Sequence, residues 1–260
     1  MNHATARYAT AVSQHPDSAI AVAEVIGQSL ERTGGQPGLA VMFTSGAHTT
    51  HTPMIARAIQ KGLSPSVLLG SSASGTLAHR HEIEKGPSIV LWTTLIEDVR
   101  PLRLESPALP DDVEPGQAVA LIADPFTFDA ATFAAGVAPE LTLVGGLASA
   151  VSRPGNSHLI LDDEAFSNGA VAIVLPTDTD ARALVATGCR PLGDPMVVTD
   201  AEGPLIRSLA GRPALERVTG LLADADETTA ARIRRGLHLG IVIDEHLEAF
   251  GAGDFLIRTI

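Results

Sequence analysis

The chain has 260 residues, 45% of them hydrophobic and only 3% aromatic, and carries a formal charge of −12. That is enough apolar material for one large core or two modest ones, built from Ala, Val, Leu and Ile. An acidic chain without a basic stripe excludes nucleic acid as a partner. A single cysteine, Cys189, excludes a disulfide framework and a multi-cysteine zinc site. The N-terminus lacks the basic-then-apolar order of a secretory signal. The longest apolar run, residues 141–151, is too short to span a bilayer. A cytoplasmic protein with no membrane partner is the expectation.

In chain order, the first pattern is a helix over residues 17–32. Asp17 or Ser18 caps it, Ile20, Val22, Val25, Ile26 and Leu30 form its apolar face, and Gly34-Gly35 ends it. The continuous apolar run 39–43 predicts a strand buried on both faces. A polar loop over 44–51 leads to Thr52 as N-cap and Pro53 at the first helical position of a short helix, 54–61. A strand at 67–69 opens into a loop of small residues, 70–75. Strands follow at 88–94 and 99–104, with Glu97-Asp98 at the turn between them, and then a Pro- and Asp-rich spacer over 105–116. The next stretch reads as strand 118–122, polar loop 124–128, helix 130–137, strand 142–144 and a second small-residue loop, 145–149. Strands at 157–161, 169–175 and 181–187 complete this part.

Residues 39–75 and 119–149 share one order of elements: strand, polar loop, short helix, strand, Gly/Ser loop. That order predicts a duplicated unit whose halves pack about a pseudo-twofold axis, with the two Gly/Ser loops in equivalent places. The stretch 188–215 is dense in glycine and proline between β-branched runs, and reads as a hinge between two domains, 1–193 and 194–260. Beyond it, strands at 196–199 and 205–209 pair around a turn at 200–203, helices occupy 213–222 and 227–235, and strands 237–244 and 255–260 follow. The chain stops inside an apolar segment, so a truncated second domain is expected. The fold class is therefore α/β: a mixed-sheet α/β sandwich from a duplicated strand-helix-strand unit, followed by the start of a second α/β domain.

Several segments resemble the FIST family (F-box and intracellular signal transduction proteins). They are Gly188 through Gly193, Val198-Thr199, Ala201, Gly203 and Gly211 through Leu215 at the hinge; Val41-Met42-Phe43 and Leu69 through Gly75; Ala123-Asp124; Val144 through Ala148; Asn168-Gly169-Ala170; and Gly253 through Arg258. Pro204 stands where the family often has Asn. The resemblance implies a module that binds small molecules, with amino acids proposed, and passes a signal to a downstream protein. It also implies a haem-based gas sensor as an alternative, since some bacterial members are described so.

The chemistry-bearing residues permit these readings. Loops of small residues offer backbone N–H groups to an anion such as a carboxylate, which makes Ser71, Ser72, Gly75, Gly145 and Gly146 the candidate pocket. Asp124, at a strand end, and Arg190, able to grip a carboxylate bidentately, would orient the ligand. Each has a bland alternative: tight turns for the loops, a loop cap for Asp124, a domain-junction ion pair for Arg190. A nucleophile elbow needs Gly-x-Ser-x-Gly, which Gly70 through Ser74 does not supply. Cys189 reads more simply as a small buried residue than as a thiolate. His48, His51, His79 and His81, with Glu82 and Glu84, form no closed metal signature. The expected function is a non-catalytic sensory domain holding a polar metabolite, with no cofactor. The enzyme alternative is a hydrolase or transferase using Ser or Cys189, and a scaffold that binds only protein stands beside it.

Overall fold

The computed structural model describes residues 8–260 apart from 185–187, 224, 235, 245, 248, 249, 252 and 253. The chain divides into two compact units, Met1–Ala183 and Leu184–Ile260.

In the first unit, β1 (Tyr8–Ser13) leads into α1 (Ser18–Thr33). Asp17 starts the helix by accepting the N–H groups of Ala19 and Ile20, at 2.8 and 3.1 Å, and Gly34 ends it in the left-handed region at φ 67°. Then come β2 (Leu39–Ser45), a 3-10 turn (Gly46–His51), α2 (Thr52–Leu63) and β3 (Val67–Ser72). The hairpin β4 (Thr76–Ala78) and β5 (His81–Ile83) precedes β6 (Ser88–Thr94). The second half contains β7 (Arg100–Leu104), β8 (Ala118–Ala123), α3 (Ala130–Gly136), β9 (Thr142–Leu147), the hairpin β10 (Leu159–Leu161) and β11 (Glu164–Phe166), and β12 (Ala170–Leu175).

Two mixed sheets result, in the orders β1-β6-β2-β3-β10-β11 and β7-β12-β8-β9. They share one core: Leu39, Val67 and Leu69 of the first pack with Ile122, Val171 and Ile173 of the second. On its outer face the first sheet is covered by α1 and α2, through Val22, Val25, Ile55 and Ile59 against Met42, Leu68, Ile89 and Leu91. α3 covers the second sheet through Phe133, which meets Phe128 with ring centroids 5.5 Å apart. The unit is thus the expected α/β sandwich, with its sheets inside and its helices outside.

The duplication shows in strand order and register. β2 pairs in parallel with β3 and antiparallel with β6, which in turn pairs with β1; β8 pairs in parallel with β9 and antiparallel with β12, which pairs with β7. Aligning Leu39↔Val67 with Ala118↔Thr142 makes Met42 equivalent to Leu121, Gly70 to Gly145 and Ser74 to Ser149. The same alignment matches the bond from the Ala73 N–H to the Thr44 carbonyl (2.8 Å) with that from Ala148 to Ala123 (2.9 Å). The halves differ at their hairpins. β4 begins at Thr76, almost at once after Ser74, so its hairpin stays beside its own sheet. β10 begins only at Leu159, far enough after Ser149 to cross over and pair antiparallel with β3.

Some local expectations are corrected. The two small-residue loops are strand ends: β3 runs on through Gly70 to Ser72, and β9 through Gly145 and Gly146 to Leu147. Thr52 does not cap α2. Its hydroxyl bonds the Thr49 carbonyl and the Thr44 hydroxyl, at 2.7 and 2.6 Å, because it is buried beneath the turn. Ile20 and Leu30 face outward; the buried stripe of α1 uses Ser29 and Thr33, whose hydroxyls both meet Thr93. Strands 88–94 and 100–104 are not partners and belong to different sheets. Residues 181–184 are not strand, and the rest of the strand expected at 181–187 lies outside the described residues. The strand expected at 157–161 is β10, whereas β1, the β4–β5 hairpin and β11 carry no signal that the sequence reading uses.

The second unit contains a sheet of β13 (Val198–Glu202), β14 (Leu205–Leu209) and β15 (Arg212–Pro213), then α4 (Ala214–Ala223), α5 (Glu227–Ile233) and the antiparallel pair β16 (His238–Val242) and β17 (Phe255–Thr259). Arg217 of α4 reaches back to the Leu209 and Ala210 carbonyls. None of its described residues is buried. Gly253 lies outside the described residues.

Gly70 and Gly145 mark a shared steric constraint. A methyl group at Gly70 would overlap Met42, and one at Gly145 would run into the Leu121 backbone, whereas Gly146 has open space around it. Gly70→Ala and Gly145→Ala should each destabilise the fold by about 1–3 kcal/mol, and Gly146→Ala should stay within about 0.5 kcal/mol. Urea denaturation of the three variants checks this; equal effects at Gly145 and Gly146 would contradict it.

Candidate functional site

The parallel pairs β2/β3 and β8/β9 end at one seam. Ser74, just after β3, directs its N–H and its hydroxyl at the Ser149 hydroxyl, at 3.0 and 3.3 Å. These residues are equivalent in the register of the two halves, so the two Gly/Ser segments meet there. Beneath them, Ser71 and Ser72 are buried. The Ser71 hydroxyl donates to the Ser72 carbonyl at 2.9 Å, and the Ser72 N–H donates to the His158 carbonyl at 3.1 Å. The Ser72 hydroxyl is buried without a hydrogen-bond partner among the described residues.

Asp124 is tied to the same place through residues 157–158. Its fully buried carboxylate accepts the Ser157 hydroxyl at 2.6 Å, the Thr127 hydroxyl at 2.8 Å and the N–H groups of Phe126 and Thr127 at 3.0 and 2.9 Å. Burial alone would raise this carboxyl. The bonds from Ser157, Thr127 and the two backbone N–H groups outweigh it and hold the carboxyl below its ordinary value of 3.8. Asp124 thereby closes the turn between β8 and α3 and anchors the segment that carries His158 to β3. Half-buried His158 is shifted the other way in charge terms: burial lowers its pKa from the ordinary 6.5 and favours the neutral ring.

Of the remaining sequence candidates, Gly75 is half-buried and turns the chain into β4 with the Ile83 carbonyl close by. Gly145 and Gly146 are exposed on β9. Arg190 is exposed and Cys189 half-buried, both in the second unit. The structure thus gathers Ser71, Ser72 and Asp124 around Ser157 and His158, two residues that sequence reasoning missed. No local motif marks them; only the crossing of β10 onto β3 brings them in.

One histidine serves the fold. His48, fully buried, directs Nε2 at the His15 carbonyl at 2.9 Å and meets the Ser18 hydroxyl through Nδ1 at 2.7 Å. A carbonyl only accepts, so Nε2 carries a proton. Both ring nitrogens are committed, which leaves none for an iron or zinc ion. Among the described residues no group of three or more His, Cys, Asp or Glu side chains converges as a metal site. An open groove of about 440 Å³ between β7 and the β10–β11 hairpin includes Arg103 and Phe166. Arg103 lies over the Phe166 ring and is held by the Leu104 and Ala170 carbonyls and by Asn168, so it is already occupied.

Residues 38–212 match the FIST N domain. The chain belongs to the FIST family. Two uncharacterized mycobacterial proteins, Rv0628c of Mycobacterium tuberculosis and Mb0898c of Mycobacterium bovis, are each 34% identical over 267 residues. These matches cover 98% of this chain, and 70% and 69% of the respective relatives. The FIST domain is assigned to sensory signal transduction, and the match takes in the whole seam, from β2 through Asp124, Ser149 and His158. Among the described residues no helix is long and apolar enough to cross a membrane.

Two measurements follow from this FIST seam. Asp124→Ala leaves two hydroxyls and two N–H groups without their acceptor and should cost about 3 kcal/mol or more in urea denaturation; a loss under about 1 kcal/mol would show that the carboxylate is not the anchor. Stability should also fall with acid in two stages. His158, depressed when folded, binds fewer protons than in the unfolded chain, so its contribution erodes as pH drops below 6.5. The Asp124 contribution is complete above 3.8 and is lost as pH falls through its lower folded value. His158→Gln should flatten the first stage of a stability-against-pH curve and leave the second in place.

Proposed function

We propose that the first unit is a cytoplasmic, non-catalytic sensory module that binds a polar metabolite such as an amino acid at the Ser74–Ser149 seam and signals to a downstream protein. The observation that carries this reading is the Ser72 hydroxyl, buried beside that seam without a partner among the described residues. Leaving such a group unpaired costs about 1–3 kcal/mol, and a ligand offering a donor or acceptor there would recover it. The site also lies beyond the carboxyl ends of parallel strands, where α/β sheets place their ligands. Gly75 would let the ligand approach the backbone, and Asp124 acts as an anchor for the seam rather than a direct contact. A hydrolase using Ser71 finds less support, because that hydroxyl donates to the Ser72 carbonyl and meets no base among the described residues.

Thermal-shift and native mass spectrometry measurements on the full chain with a panel of amino acids test the reading. At least one amino acid should raise the melting temperature. Ser72→Ala should leave the ligand-free protein as stable or up to about 1 kcal/mol more stable, while weakening the response at least tenfold. A panel with no response, or a response that Ser72→Ala leaves intact, would refute it.

A further inference from the structure

We infer that β9 is a docking edge for a second copy of this chain, which adds its own β9 antiparallel and joins the two sheets across a twofold axis. The duplication points to it. In the first half, β3 receives β10 on its outer edge, with Leu159, Ile160 and Leu161 opposite Ser71, Gly70 and Leu69. In the second half, the equivalent edge of β9 has no partner strand among the described residues of the first unit. The short connection after Ser74 accounts for the difference, since the two-residue step to β4 reaches only about 7 Å.

The groups that bond an added strand are in place. β9 bonds β8 through alternate residues, from the Thr142 N–H to Gln117 at 3.1 Å through to the Ala148 N–H to Ala123 at 2.9 Å. That alternation turns the N–H and C=O groups of Leu143, Gly145 and Leu147 toward the open edge. They are the equivalents of Leu68, Gly70 and Ser72, which on β3 face β10 and Asp162. Val144 and Leu147 are 39% and 51% exposed.

The strand itself selects the occupant. The template on β3 calls for an antiparallel partner, and a twofold axis sets two copies of one strand antiparallel. With Gly145 on the axis, Leu143 of each copy meets Leu147 of the other, and Val144 meets Gly146. β9 has no charged residue, so a chain of net charge −12 can bring two copies together here without like charges opposing across the ladder. The far edge of the same sheet, β7, is blunted by Arg100, Pro101 and Arg103, and β9 carries no such device.

Sedimentation over a concentration series, with hydrogen exchange read at residues 143–147, tests this on the full chain. The expected result is a dimer whose Leu143, Gly145 and Leu147 amides are protected and lose at least tenfold of that protection on dilution to monomer. Leu147→Pro removes an outward N–H that β8 does not use and should give a monomer with an unchanged melting temperature. Gly146→Lys, placed where there is open space, should weaken the dimer at least tenfold and serves if the proline variant does not fold. A monomer at every concentration with unprotected amides would overturn the proposal. So would protection that is independent of concentration, which would mean that the edge is covered by the chain's own second unit.

Discussion

The central strands of the first unit must be buried on both faces, because two sheets share one core while helices cover their outer sides. β3 is buried along its whole length, and β12 at all but its last residue. Such strands admit no charge and little polarity. The buried polar residues in and around these strands are hydroxyls, the Asp124 carboxylate and the His48 ring, and nearly all are paired: Thr44 with Thr52, Ser45 with Ser88, Ser88 with Thr76, Thr93 with Ser29 and Thr33. Ion pairs contribute little by comparison. Arg100–Asp112 and Arg207–Glu202 are exposed and screened by water.

The same constraint explains the glycines. Met42 and Leu121 occupy equivalent positions, and each needs a neighbour without a side chain on the adjoining parallel strand. Gly70 and Gly145 therefore serve strand packing first. What makes the seam a candidate site is that both strand ends arrive there together, that Ser74 and Ser149 meet, and that the Ser72 hydroxyl is buried without a partner among the described residues.

Much of this order was legible in the residues. The cap and stop of α1 were read from Asp17 and Gly34, and the repeat from element order, since a buried parallel pair with its crossover helix leaves a strong periodic trace. β1 was missed because its buried positions are chiefly alanines, Ala9 and Ala11, whose small apolar signal is easily lost. In sequence the strand ends at Ser72 and Leu147 read as loops because glycine and serine have low strand propensity in isolation; on β3 burial between neighbouring strands overrides it, and on exposed β9 the parallel ladder to β8 does. Ser157 and His158 could not have been found locally. Their importance comes from a pairing between strands far apart in the chain.

That crossing of β10 and β11 has a further consequence. The second half lends two strands to the sheet of the first, so the repeats are interlaced rather than merely stacked. Cutting the chain in the spacer between β7 and β8 would yield fragments of which neither is autonomous: one would lack the strands that finish its sheet, and the other would carry a hairpin with nothing to pair against. The two repeats therefore form one cooperative folding unit, whose assembly must wait for the late-synthesised hairpin to find its early-synthesised edge.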